Sequence, residues 1–158
     1  MSDWNENHKY YFTDLIWQRG VQMEKIDHIG IAVKSIEDSL PYYTDTLGLK
    51  LLHVEDVPSE KVRVAFIDSG NVHLELLQPI DETSTIHAFI EKKGEGIHHI
   101  AFGVTSIQQR LDDLKEKGVQ LIQETPKMGA HGAQVAFIHP KSSRGVLYEL
   151  VDKTGGAI

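Results

Sequence analysis

Two histidines and two glutamates stand at equivalent points of a repeated pattern in this 158-residue chain. His28 and His99 are 71 positions apart, each at the start of a short apolar segment, and Glu75 and Glu149 each lie between apolar neighbours late in a repeat. Imidazole and carboxylate suit borderline divalent ions such as Co, Mn, Ni, Zn or Fe, whereas calcium prefers oxygen atoms alone. If the four side chains meet, we expect a metal site with room for a chelating substrate.

The offset of 71 holds well beyond the histidines. Residues 64–67, Val-Ala-Phe-Ile, recur unchanged at 135–138, and residues 33–36, Val-Lys-Ser-Ile, recur as Val-Thr-Ser-Ile at 104–107. Similarity at a fixed period is the mark of a duplicated unit. A unit of this size buries little surface by itself, so the two copies are expected to share one core and bring the four side chains to one locus.

The hydrophobic pattern predicts that each copy folds as a β-α-β-β-β module. Apolar residues alternate over 25–33, which is typical of a strand, and Ser35 and Ser106 each precede a helical pattern as candidate N-caps. Pro41 falls inside the first helix, where a kink or a late start is expected. Further strands are expected at 50–55, 62–68, 72–78, 120–124, 134–139 and 145–152.

The predicted fold class is α+β, with two paired βαβββ modules. We expect residues 1–22 to be an N-terminal extension that carries no ligand, because nothing in them belongs to the repeat. The rest forms a single domain over 23–153, divided into module one (24–80), a linker helix (82–94) and module two (96–153), with a tail at 154–158.

His98 and His99 are neighbours, so on a regular strand their rings point to opposite faces and only one can enter the site. The offset selects His99, because it is the residue 71 positions after His28.

Composition narrows the function classes. The net charge of −7 argues against a nucleic-acid partner. No apolar run approaches the roughly 18–20 residues that span a bilayer. The first twenty residues lack the basic segment followed by an apolar segment that is typical of a signal peptide. The absence of cysteine removes disulfides, thiolate ligands and thiol nucleophiles. We therefore expect a cytoplasmic protein with no membrane partner.

The paired modules and their ligands resemble the vicinal oxygen chelate superfamily, which has the glyoxalase-like fold and includes glyoxalase I, extradiol dioxygenases, antibiotic-resistance proteins and methylmalonyl-CoA epimerases. The resemblance to the epimerase branch covers 24–153. Its more specific segments are Pro-Lys-Met-Gly-Ala-His-Gly at 126–132 and His-Pro-Lys-Ser-Ser-Arg-Gly-Val-Leu-Tyr-Glu-Leu at 139–150.

The resemblance implies a divalent metal ion (Co, Mn, Ni or Zn) held by His28, Glu75, His99 and Glu149. It also implies a small-molecule acyl-CoA substrate and interconversion of (R)- and (S)-methylmalonyl-CoA by removal of the C2 proton through a metal-stabilised enolate. Glu149 is the expected catalytic base, since a ligand that loosens when substrate chelates can accept a proton. Where some members carry a second carboxylate, this chain has Val64, so the second acid/base group is unassigned. A homodimer is expected.

A set of polar residues in loops beside the last strands is suited to bind the phosphates of coenzyme A, although ordinary solvated loop residues would look the same. The set comprises Lys127, Lys141, Ser142, Ser143 and Arg144. Three alternatives share the fold: a glyoxalase I-type lyase acting on a glutathione hemithioacetal, an iron dioxygenase, and a metal-free binding or resistance protein.

Overall fold

The computed structural model describes residues 23–154, which form one eight-stranded mixed sheet in the order β2-β3-β4-β1-β5-β8-β7-β6. The predicted extension 1–22 lies outside the described residues. The strands are β1 Lys25–Ala32, β2 Lys50–Val57, β3 Val62–Asp68, β4 His73–Pro79, β5 Gly96–Gly103, β6 Lys127–Met128, β7 Gln134–Ile138 and β8 Tyr148–Asp152. The helices are α1 Ile36–Pro41, which continues as a π-helical turn over Tyr42–Thr46, α2 Thr85–Lys93 and α3 Ile107–Glu116, with 3-10 turns at Ala130–Gly132 and Pro140–Ser142.

The strand order is symmetrical about the junction of β1 and β5. β1 pairs in parallel with β4, β5 pairs in parallel with β8, and β1 and β5 join the two modules in antiparallel fashion. The predicted α+β fold of two paired βαβββ modules is therefore confirmed. The four central strands β4, β1, β5 and β8 are the ones that carry the four predicted ligands.

The sheet is strongly curled, because its two outermost strands approach each other. In a flat sheet of this size, β2 and β6 would lie roughly 34 Å apart, at about 4.8 Å for each step between strands. Instead, Nε2 of His53 on β2 lies 2.9 Å from Nε2 of His131, which follows β6. Nζ of Lys127 on β6 lies 2.8 Å from Oε1 of Glu60, which follows β2. We call the line along which these two ends meet the seam.

The helices α1 and α3 cover the convex face of the sheet. Ile36 of α1 packs with Leu76 of β4, and Leu111 of α3 packs with Leu150 of β8. Leu76 and Leu150 are 0% exposed, and full burial of a leucine side chain contributes about 1.5–3 kcal/mol. Since neighbours on a strand point to opposite faces, this burial directs Glu75 and Glu149 to the concave face.

The capping prediction is correct for the first helix and wrong for the second. Ser35 Oγ accepts a hydrogen bond from the backbone N–H of Asp38 at 3.1 Å. Ser106 adopts a left-handed conformation with φ of 53° and makes no side-chain cap. A carboxylate from the neighbouring strand replaces it, because Asp152 Oδ2 accepts from the backbone N–H of Ile107 at 3.1 Å.

Pro41 does not delay the start of the first helix, which begins at Ile36; instead the hydrogen-bond pattern of the helix changes after it. Proline has no N–H to donate to the carbonyl four residues earlier. The chain leaves the α-helical pattern at this residue and continues as a π-helix, in which the N–H of Leu47 donates to Tyr42 O at 3.0 Å.

The strand predicted at 120–124 is wrong. That segment makes only an isolated bridge, between Leu121 and Ile138, and the pairing with β7 resumes in the two-residue strand β6. Pro126 stands between the two contacts, and proline cannot donate to a ladder. The linker helix is shorter than predicted, since α2 begins after Ser84, whose hydroxyl accepts from the N–H of Ile86 at 3.2 Å. None of the helices within 23–154 is long and apolar enough to cross a membrane.

Candidate active site

The four predicted metal ligands come from the four central strands and are almost fully buried. His28 lies on β1, Glu75 on β4, His99 on β5 and Glu149 on β8, with exposed fractions of 5%, 9%, 6% and 6%. All four line a cavity of about 350 Å³ on the concave face. The duplicated pattern in the sequence therefore corresponds to one site that both modules build.

Three of the four form a tight group, which we call the central cluster: His28, His99 and Glu149. The Nε2 atoms of the two imidazoles are 3.0 Å apart, and Glu149 Oε2 lies 3.0 Å from Nε2 of His28 and 3.1 Å from Nε2 of His99. Glu75 stands beside this cluster, with Oε1 3.3 Å from Nδ1 of His28, on the other side of that ring.

Asp27 orients the ring of His28. Its Oδ1 lies 3.0 Å from Nδ1 of His28, and its carboxylate also receives two hydrogen bonds from Lys153 Nζ, at 2.8 and 2.9 Å. Burial raises the pKa of Asp27, but the bonds from His28 and Lys153 outweigh it and hold that pKa well below its usual range. An ionised Asp27 keeps the His28 proton on Nδ1 and leaves the lone pair of Nε2 for a metal, which is a common arrangement around bound ions.

The central cluster fits a cation by its own chemistry. Glu149 Oε2 is buried and accepts no hydrogen bond of good geometry from the described residues, which is costly for a carboxylate. Burial raises the pKa of Glu149, but the charges of His99 and His28 outweigh it and hold the pKa at about 2. Two imidazole nitrogens and a carboxylate oxygen that converge on one point are the donor set of borderline divalent ions.

Glu75 differs from Glu149 in its electrostatics. Burial raises its pKa, and the nearby charge of Glu149 raises it further, against the opposing effect of His28. Glu75 is therefore the carboxyl of the pair that more readily holds a proton when the cluster carries no ion.

His98 does not point away from the site, as a regular strand would require. The pairing of β1 with β5 shifts register between Gly30 and Ile31, so that Gly30 faces His99 while Ile31 faces Ile97. His98 is the extra residue of this β-bulge. Its Nδ1 lies 2.9 Å from Nδ1 of His99, and its ring lies edge-on to Phe89. The predicted separation of the two rings on opposite faces is wrong.

Burial lowers the pKa of His98 to about 4, with help from the charge of His99. A neutral His98 can share one proton with Nδ1 of His99, just as Asp27 does with His28. The residues that support the two histidines, Asp27 and His98, were not among the predicted site residues. Each is adjacent in sequence to the ligand that it contacts, and that adjacency was the available signal.

The predicted substrate-binding residues separate into two groups. Lys127 lines the cavity at the seam. The other four lie in the loop between β7 and β8, outside the cavity wall: Ser142 Oγ accepts from the N–H of Gln120, and Ser143 Oγ donates to Val146 O. Contact of Lys141, Ser142, Ser143 and Arg144 with a substrate stays a prediction.

The cavity above the cluster has mostly apolar walls. Val64, Phe66, Val135 and Phe137 line it, and Val64 is only 2% exposed. An apolar wall excludes water and strengthens every charge interaction inside. The carboxylate that the resemblance places at Val64 in other members is replaced here by part of that wall.

This fold and site define a protein of the glyoxalase type. Residues 27–137 match the model of the Glyoxalase/Bleomycin resistance protein/Dioxygenase superfamily. The chain therefore belongs to this superfamily, as the resemblance indicated.

Individual relatives indicate which branch of the superfamily this chain is most similar to among those compared. The chain is 41% identical to the ethylmalonyl-CoA/methylmalonyl-CoA epimerase of Cereibacter sphaeroides, over 80% of this chain and 96% of that protein. It superimposes on a variant of the Streptomyces coelicolor methylmalonyl-CoA epimerase in complex with 2-nitronate-propionyl-CoA with a TM-score of 0.79, at 35% identity, covering 87% of this chain and 99% of that one. A hypothetical protein from Bacillus halodurans is 57% identical, with a TM-score of 0.81 and coverage of 85% and 97%. The resemblance to the epimerase branch is confirmed.

Proposed function

We propose that this protein is a methylmalonyl-CoA epimerase that interconverts the (R) and (S) forms by removing and returning the proton at C2. The observation that carries the proposal is the convergence of His28 Nε2, His99 Nε2 and Glu149 Oε2 at the base of an apolar cavity. The epimerases among its relatives support it, because they align over most of this chain.

His28, His99 and Glu149 would hold a divalent ion, with Glu75 as the fourth ligand after a change of rotamer. When bound, Co²⁺, Mn²⁺, Ni²⁺ or Zn²⁺ would act as a Lewis acid that stabilises negative charge on the thioester oxygen. Two neutral imidazoles and two carboxylates would balance the charge of the ion.

Residues of this chain account for the other parts of the reaction, which are proton transfer, orientation of the ligands, exclusion of water and binding of the substrate. Glu149 lines the cavity as a carboxylate, so once its hold on the ion loosens it can accept the C2 proton from one face of the substrate. Inversion also needs a proton delivered to the opposite face, and the group that supplies it stays unassigned. Asp27 and His98 fix the rings of His28 and His99. The apolar wall at Val64 and Phe137 keeps water from the carbanion. Lys127 at the cavity edge is paired with Glu60 at 2.8 Å and would exchange that carboxylate for a phosphate of coenzyme A.

The test is isotope exchange in deuterated water. Wild-type protein loaded with Co²⁺ should place deuterium at C2 of methylmalonyl-CoA, and Glu149→Gln should lower the exchange rate about 10²- to 10⁴-fold, because an amide accepts no proton at neutral pH. Glu75→Gln is the matched control, which removes a charge of the same kind beside the cluster and should retain appreciable exchange.

One outcome would contradict the role of Glu149, and another would contradict the proposed activity itself. Wild-type exchange in Glu149→Gln with metal bound would limit Glu149 to a ligand role. Turnover of a methylglyoxal–glutathione hemithioacetal, with none of methylmalonyl-CoA, would assign the protein to the lyase alternative. The expected homodimer and cytoplasmic location stay predictions.

A further inference from the structure

A second group of metal-type ligands lies at the seam, apart from the central cluster. It consists of His53 and Glu55 on β2 and of His131 in the turn between β6 and β7. The Nε2 atoms of the two histidines are 2.9 Å apart. Glu55 Oε2 lies 3.3 Å from Nδ1 of His131 and 3.9 Å from Nε2 of His53. We call these three residues the seam cluster.

The seam cluster has the same donor types as the central cluster and a similar distance between its paired imidazole nitrogens. Its carboxylate is placed differently, because Glu55 lies nearest Nδ1 of His131, whereas Glu149 lies close to both Nε2 atoms of the central cluster. The paired imidazole nitrogens are 2.9 Å apart here and 3.0 Å apart in the centre, and each group adds one carboxylate. It is not a copy produced by the duplication, since residues 71 positions from His53 and Glu55 are Glu124 and Pro126. The seam cluster therefore did not arise with the central cluster from the duplication.

Both rings are held in place by their surroundings. His53 stacks on Phe66, with ring centroids 4.4 Å apart and an angle of 11° between the planes. His131 adopts φ of 52°, a conformation unfavourable for a residue with a Cβ atom, and its backbone N–H donates to Glu55 Oε1 at 3.3 Å. The strained turn directs the His131 ring across the seam, and such strain clusters at functional sites.

A hydrogen bond between the two imidazoles would use one proton and one lone pair. In that arrangement Nδ1 of His131 can donate to Glu55, but the negative charge of Glu55 has no cationic partner among these three residues unless a ring is protonated. A divalent ion would accept both Nε2 lone pairs and balance Glu55. The side chains of His53 and His131 are 42% and 43% exposed, so ion entry requires little rearrangement of the core.

We propose that His53, Glu55 and His131 bind a second divalent transition-metal ion, of the class of Zn²⁺, Co²⁺ or Ni²⁺, which fastens the two ends of the curled sheet together. Zn–N distances of about 2.1 Å at a tetrahedral angle place two nitrogens about 3.4 Å apart. The rings therefore separate by about half an ångström when the ion enters. Three protein ligands leave a fourth position for water.

An ion at the seam would connect the two modules. His53 and Glu55 belong to module one and His131 to module two, so the ion bridges elements that are distant in sequence and occupies the edge of the cavity. An ion that binds only the closed seam stabilises the folded state by mass action.

The experiment measures Zn²⁺ stoichiometry on the full, tag-free chain by equilibrium dialysis and elemental analysis. Wild type should bind two equivalents, His99→Ala one, His131→Gly one, and the double variant none. His131→Gly removes the ring at a position whose positive φ glycine adopts readily, so the variant is expected to fold. His87→Ala, on α2 outside both clusters, is the matched control and should keep two equivalents.

A second readout separates the seam ion from the central one. In the His99→Ala background, Zn²⁺ should raise the melting temperature by several degrees, and adding His131→Gly should abolish that rise. Loss of all Zn²⁺ in His99→Ala, or two equivalents retained in His131→Gly, would overturn the proposal. Neither readout uses epimerase activity, so the proposed function can fail without affecting this result.

Discussion

The close approach of β1 and β5 in the site depends on the missing side chain of Gly30. A Cβ atom at Gly30 would lie 2.3 Å from Cε1 of His99, far inside the usual contact distance of about 3.5–4.0 Å. Gly30 and His99 face each other in the β1–β5 pairing. The glycine is therefore required by the ring of His99, and the sequence offered no sign of that requirement.

Gly30→Ala should displace the His99 ring and weaken binding at the central cluster by at least about tenfold, with a loss of about 1–3 kcal/mol in the free energy of unfolding. Co²⁺ titration followed by absorption measures the first effect and urea unfolding the second. Gly103→Ala is the control in the same strand pair, because its Cβ would meet Lys25 at an ordinary 3.6 Å. Unchanged Co²⁺ affinity in Gly30→Ala would show that the ring can move aside freely.

His98→Ala should lower the affinity of the central cluster about 10- to 100-fold, because residues that orient a metal ligand contribute on that scale. His99→Ala should abolish central binding altogether. Titration of both variants with Co²⁺ compares them directly, in the His131→Gly background to remove the seam ion. Wild-type affinity in His98→Ala would mean that the 2.9 Å contact between the two Nδ1 atoms does not hold the His99 ring.

The identities of the central residues could be predicted because the duplication placed His28 and His99, and Glu75 and Glu149, at matching points. The direction of His98 could not, since it depends on a bulge, and a one-residue shift in pairing reverses which face a side chain takes. The separation of Glu75 from the three-residue cluster depends equally on distances that spacing alone does not specify.

At the scale of elements, α1 and α3 begin at polar side chains that lie at the ends of the strands that carry Glu75 and Glu149. Asp152, three residues after Glu149, accepts from the N–H of Ile107 at the start of α3. Gln78, three residues after Glu75, accepts from the N–H of Ile36 at the start of α1, at 2.7 Å. This matched pair explains how α3 begins without a Ser106 cap. These caps could not be predicted from the sequence, because each capping residue lies more than 40 residues from the start of its helix.

Asp152→Ala should lower the free energy of unfolding by about 1–3 kcal/mol at pH 7, because the N–H groups of Ile107 and Thr154 lose their acceptor. Burial raises the pKa of Asp152, but hydrogen bonds from Thr154, Ile107 and Ser106 outweigh it and hold the pKa below the ordinary 3.8. A depressed pKa contributes stability that is present above 3.8 and is lost as the pH falls through the folded value.

The difference between wild type and Asp152→Ala should therefore be constant from pH 5 to 7 and shrink below about pH 4. Urea unfolding across this range measures it. Gln78→Ala is the matched control, since it removes the equivalent cap of α1 with a side chain that does not titrate. If the Asp152→Ala difference persists unchanged to pH 2, the carboxylate charge contributes nothing to the cap.

At the scale of the whole molecule, the duplicated pattern predicted two modules with a common core. The modules instead share one continuous sheet through the β1–β5 junction, and each buried hydrophobic cluster takes its buried residues from one module or from that module and the linker helix. The seam could not be predicted. It arises because the sheet curls until β2 meets the β6–β7 turn, and strand periodicity does not report the amount of twist or coiling. The cavity, and the seam cluster at its edge, follow from that curvature.

Because the central ligands come from both modules, an ion there should bind only the assembled sheet. Removal of the ion with a chelator should then lower the melting temperature. At a free ion concentration 1,000 times Kd, binding contributes about 4 kcal/mol, which for a domain of this size corresponds to roughly 10–20 °C. Differential scanning calorimetry with and without chelator measures the shift. The His99→Ala/His131→Gly variant, which lacks a ligand of each cluster, should show no shift. An equal shift in that variant and in wild type would mean that neither cluster is where the stabilising ion binds.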